Sequence, residues 1–81
     1  MATVHLQAGH SRFANGEKTL SVDGNTVGDL IDELERRYPG IGPLLTDGAS
    51  VAINGELNPN GIYEKVDAIT EVYFLAPISG G

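Results

Sequence analysis

The 81-residue sequence contains no cysteine. That excludes a disulfide framework, a thiolate metal site and a thioester formed by the chain itself, so any sulfur it handles must be borrowed. Histidine is also scarce. His5 and His10 lie close together, but no HExxH or comparable spacing involves them, so no metal is expected and they read as a strand-face and a loop histidine. Positive charge is the third deficit: five Lys and Arg against eleven Asp and Glu give a formal net charge of -6. This argues against binding a nucleic-acid phosphate backbone and favours a basic partner surface. There is no run of eighteen apolar residues and no cationic segment leading into an apolar one. Neither a membrane span nor a leader is expected, and the sequence reads as a soluble, cytoplasmic protein. Gly40 and Gly42 lead into no GxxxxGK[ST] loop, and no Ser/His/Asp or paired-carboxylate arrangement emerges, so the chain is not expected to be an enzyme.

What is present suits one small domain, since a chain this short buries only about 60 to 65% of its unfolded surface. "TVHLQA" (3–8) alternates, with Val4, Leu6 and Ala8 on one face, and predicts a half-buried strand. A loop with the turn pair Asn15-Gly16 leads to a second strand carrying Leu20 and Val22 inward. Thr26, with Asp29 three residues on, predicts a capped helix whose stripe is Val27, Leu30, Ile31, Leu34 and Tyr38. On its outer face Asp32 is spaced to pair with Arg36 and Glu33 with Arg37, the reading of a solvated face. Gly28 suggests close backbone packing, and Pro39-Gly40 stops the helix. "IGPLLTDGA" reads as a loop with at most one helical turn, in which Ile41, Leu44 and Leu45 plug the core. "SVAIN" is a third strand ending in the turn pair Asn54-Gly55, and 56–69 reads as irregular. "TEVYFLAP" is the last strand, with Val72, Phe74 and Ala76 on one face and Tyr73 and Leu75 on the other. One long helix cannot bury itself, so it should lie across a mixed sheet whose first and last strands pair in parallel at the centre.

The final strand runs into "PISGG". Two terminal glycines lose more freedom on ordering than any other pair and stabilise no fold, which points to a purpose other than packing. "TVGDLIDELERRYPGI" (26–41), "VAINGEL" (51–57) and "EVYFLAPISGG" (71–81) together resemble the MoaD/ThiS family of ubiquitin-like sulfur carriers. The resemblance implies an α+β fold, the ubiquitin-like β-grasp. It comprises a mixed sheet of four to five strands, one main helix across one face, a domain over 1–76 and a flexible tail over 77–81.

The family's chemistry gives the ending a use. By resemblance, a ubiquitin-activating-type adenylyltransferase activates the Gly81 carboxylate with ATP, and sulfur from a cysteine desulfurase or rhodanese-like donor replaces AMP to leave a thiocarboxylate. Nothing is bound permanently; ATP belongs to the activating partner. Gly80 and Gly81 permit threading through narrow channels, Pro77 stiffens the exit, and Ile78 and Ser79 span the gap. Tyr73, Phe74, Leu75 and Ile78 are candidates for an apolar anchor, Phe74 being the one that also reads as core, and Arg12 for a rim contact, its other reading being a solvated loop charge. The "APISGG" ending resembles that of molybdopterin-synthase small subunits, with Ala76 at the place of the first proline. This implies molybdenum-cofactor biosynthesis, with the synthase large subunit as sulfur acceptor. Thiamine, cysteine or secondary-metabolite pathways stay open, as do a protein modifier joined to target lysines and a non-reactive interaction module.

Overall fold

The computed structural model describes residues 1–47, 50–58 and 61–75. β1 (Ala2–Leu6) pairs antiparallel with β2 (Thr19–Val22) and parallel with the last strand, β5 (Glu71–Leu75). β5 also pairs antiparallel with β3 (Ser50–Ile53), and β3 with β4 (Glu56–Asn58), giving a five-stranded mixed sheet in the order β2-β1-β5-β3-β4. The central position of β5 follows from its residues. It is apolar at Val72 and Phe74 on the covered face and at Tyr73 and Leu75 on the other, and a strand with neighbours on both edges is best placed there.

Helix α2 (Val27–Arg37) covers one face. The Thr26 hydroxyl accepts the Asp29 N–H at 3.1 Å, and Asp29 accepts the Thr26 N–H at 3.3 Å, so the predicted capping box is formed. Val27, Leu30, Ile31 and Leu34 are buried with Val4, Leu6, Val22, Val72 and Phe74 in one core, with Tyr38 packed at its margin. A Cβ on Gly28 would lie 3.3 Å from the Ile62 carbonyl oxygen, which is the close backbone approach the sequence suggested. On the outer side Glu33 binds both Arg36 and Arg37, the latter at 3.0 Å. Arg36 thus turns to Glu33 rather than to Asp32, and these two guanidiniums hold the Glu33 carboxyl below the usual carboxylate range. No helix among the described residues is long and apolar enough to cross a membrane.

Four local readings change. β1 ends at Leu6, because the Gln7 carbonyl accepts the N–H groups of His10 and Ser11, each at 2.9 Å, and turns the chain into α1 (Ala8–Ser11). Ala8 is therefore exposed rather than inward, and the loop that follows is helical up to the Asn15-Gly16 turn, whose two residues adopt positive φ as expected. His10, expected in a loop, is buried in α1. The segment after Gly40 is a full helix, α3 (Ile41–Asp47), whose Ile41 and Leu45 do plug the core. Its first N–H groups find an acceptor outside the helix: the Glu35 carboxylate takes those of Gly40 (3.1 Å) and Gly42 (2.8 Å). Finally, Glu56–Asn58 is a strand, formed because Asn54 (φ 50) and Gly55 (φ 90) build the two-residue turn that returns the chain along β3.

Candidate functional site

β5 is held on both edges and aims at the C-terminal segment. Its register places Val72 beside Val4 and Ile53, and Phe74 beside Leu6 and Val51. Phe74 is fully buried in the core. It therefore offers no surface to a partner, which corrects its expected share in an anchor patch. The rest of that patch divides. Tyr73 and Leu75 lie half-buried on the sheet face away from α2, whereas Ala76, Pro77, Ile78, Ser79, Gly80 and Gly81 lie outside the described residues. Arg12 is exposed, its guanidinium carbon 6.0 Å from the Phe13 ring centroid.

On the open face, the register aligns one residue from each strand into a single row: Thr19, His5, Tyr73, Ala52 and Leu57. The centre of the row is ordered by chemistry as well as by pairing. The His5 and Tyr73 rings stack with centroids 4.2 Å apart and planes within 9°, close to the separation of neighbouring strands. His5 Nε2 also lies 2.9 Å from Glu71 Oε1, so one imidazole fixes two residues of β5. Leu57 is 70% exposed and extends the apolar area to the sheet edge. The sequence reading treated His5 as an ordinary strand-face residue and left Leu57 in an irregular stretch. Alternation gave His5 its face, but only the strand register sets it beside Tyr73 and brings Leu57 into the same row, one strand beyond Ala52.

Beneath this face, His10 sits at the other side of the strand that leads to the tail. It is 5% exposed, its ring is hydrogen-bonded to the Phe74 backbone, and its Nδ1 has no partner among the described residues. Burial pushes its pKa below the ordinary value, partly opposed by the bond to Phe74. In the native protein the ring therefore resists a proton that the unfolded chain accepts below about pH 6.5. Stability is full above that pH and declines as the pH falls below it. Urea unfolding midpoints at pH 7.5, 6.5 and 5.5 should decline in the parent and decline less in His10→Gln. Parallel pH profiles for the two proteins would remove His10 as the cause. Acid loss from Asp67 and Glu33, whose carboxyls are also held below their ordinary values, begins at lower pH and is common to both.

Among the described residues no group of three or more His, Cys, Asp or Glu is placed to hold a metal ion. The arrangement offers instead an open sheet face on which Tyr73 and Leu75 of the last described strand lie.

The comparisons agree with that geometry. A chain of the Amycolatopsis orientalis BexX/CysO complex is 26% identical, with all of both chains covered and a TM-score of 0.88. Mycobacterium tuberculosis CysO, described as an antigen, is 24% identical, with 96% of this chain and 100% of that chain covered and a TM-score of 0.86; at that identity it speaks for the fold alone. SAMP1 from Haloferax volcanii is 28% identical, with 99% and 98% covered and a TM-score of 0.68. No curated protein gives a significant sequence match. The fold is thus the ubiquitin-like β-grasp expected from the sequence. The model of the ThiS family matches residues 4–81, nearly the whole sequence, and the chain belongs to that family.

Proposed function

We propose that this protein is a sulfur carrier whose Gly81 carboxylate is adenylated by a partner enzyme and then converted to a thiocarboxylate. The observation that carries the reading is the family match running through residue 81, so that it takes in Gly80 and Gly81. The chemistry is simple in outline. Attack of the carboxylate on ATP releases pyrophosphate and gives an acyl adenylate; hydrosulfide then displaces AMP directly, or a donor persulfide displaces it and a thiol reductant cleaves the resulting acyl disulfide to the thiocarboxylate. The product carries a nucleophilic, anionic sulfur without any cysteine in the chain. The protein acts as a co-substrate, and catalysis belongs to its partners.

Tyr73 and Leu75 on the open face contact the adenylating partner in this reading, with Pro77, Ile78 and Ser79 leading into its active site. The net charge of -6 suits a basic docking surface. For the acceptor we propose molybdopterin synthesis, on the likeness of "APISGG", with Ala76 at the place of the first proline, to the ends of its small subunits. The likeness to SAMP1, a small archaeal modifier protein, favours a second use of the same activated carboxylate, an amide to a target lysine.

One experiment separates these. Incubation with a cognate adenylating enzyme, ATP and a sulfur donor should raise the intact mass by the exchange of one oxygen for one sulfur. An unchanged mass would count against the carrier. Gly-Gly remnants on lysines of other proteins, lost when Gly81 is removed, would place the protein among modifiers instead.

A further inference from the structure

We propose that His5, Glu71 and Tyr73 form a recognition plate for a basic side chain of the adenylating partner, with Glu71 as the charge that selects this carrier. The inference rests on the function proposed above and adds a specificity determinant to its docking face.

The outer-face positions of the described strands are Thr3, His5, Thr19, Ser21, Ser50, Ala52, Leu57, Glu71, Tyr73 and Leu75, as fixed by the register. Most are small or uncharged. The only carboxylate among them is Glu71, and there is no lysine or arginine, so the complement of this face is a cation. Glu71 is not a loose surface acid. One of its oxygens is held by His5 Nε2 at 2.9 Å, while its side chain keeps 53% of its surface exposed. Its backbone is fixed too: the Glu71 N–H donates to Asn54 Oδ1 at 2.9 Å, and the Glu71 carbonyl accepts the Asn54 N–H at 2.8 Å. A carboxylate already oriented costs a partner less ordering entropy than a mobile one.

The rings complete the site. The stack of His5 on Tyr73 has its axis across the strands, so the two rings stand side by side on the sheet and offer a rigid apolar block next to the acid. An arginine or lysine has matching parts, a hydrocarbon stem to lie against the block and a cationic head to reach Glu71. Apolar contact and charge pairing then occur on one side chain, which is how an interface hot spot gains specificity over a bare acidic patch.

The test uses the intact carrier and an adenylating enzyme that turns over the parent protein, with pyrophosphate release followed against carrier concentration. Glu71→Gln keeps shape and removes charge; KM should rise about tenfold with kcat unchanged, and the salt dependence of KM should weaken. His5→Phe preserves an aromatic stack but frees Glu71, and should raise KM less than His5→Ala, which loses both. Far-UV circular dichroism confirms that each variant is folded. Equal KM values for the parent and Glu71→Gln overturn the proposal, as does a fall in kcat with KM unchanged. A parent protein that no such enzyme adenylates would instead sink the carrier function itself.

Discussion

Removal of Gly81 should lower sulfur loading by a hundredfold or more while leaving the fold intact. The truncated chain still ends in a carboxylate, that of Gly80, so the functional group survives. What changes is position. Each residue of extended chain spans about 3.3 to 3.6 Å, and a misplacement of about 1 Å at a reacting centre can cost about a hundredfold in rate. The truncation also brings Ser79, with its hydroxymethyl group, one place closer to the carboxylate, where glycine had allowed close backbone approach. Stability should be unaffected, because the buried core among the described residues ends at Phe74. The check is intact mass after reaction with the adenylating enzyme, ATP and sulfur donor, alongside thermal unfolding. Sulfur loading at the parent rate would show that the position of the carboxylate is not critical and that Gly80 serves as well as Gly81.

This result would bear on why the sequence was informative at its end. The proposed chemistry rests on the likeness of "EVYFLAPISGG" to the MoaD/ThiS family, and the match of the ThiS family model through residue 81 takes in that segment. The main helix was legible for a different reason. Thr26, Asp29 and the apolar stripe each make local interactions that the sequence spacing alone determines, and the capping box formed as expected. Register and distant contacts were not local. α3 depends on a carboxylate five and seven residues before the N–H groups it accepts, an arrangement that no cap motif encodes. The row from Thr19 to Leu57 needs five strands in register, although alternation had already put His5 and Tyr73 on faces of their own strands. β4 was the nearer miss, since Asn54-Gly55 is the turn that calls for a returning strand. The residues after it looked irregular because three positions are too few to show a period. Acidic composition, by contrast, pointed toward a basic partner from the start, and Glu71 is where the described sheet face makes that preference local.

Phe74→Ala is the substitution that best separates packing from docking on β5. The side chain is fully buried, flanked in register by Leu6 and Val51, and its backbone carries the bond to His10. Truncating a buried phenylalanine to alanine typically costs about 3 to 5 kcal/mol, from lost transfer energy plus the cavity left behind. A domain of this length has about 4 to 12 kcal/mol in total. The variant should therefore lose a large share of its stability, with a fall in Tm of about 4 to 8 °C for each kcal/mol. Phe74→Leu, which keeps most of the volume, should cost less than about 1.5 kcal/mol. Urea unfolding of the three proteins gives the order parent, Leu, Ala. Adenylation should follow that order through the folded fraction alone, and at a temperature where all three are folded it should be nearly equal. If Phe74→Ala instead unfolded like the parent and raised KM for the adenylating enzyme, the ring would have to be reachable by the partner, and the anchor would comprise Tyr73, Phe74 and Leu75 together. Burial decides between these outcomes physically: a ring with no exposed surface cannot contact a partner unless β5 leaves the sheet. That would break its pairing with β1 and β3 at once.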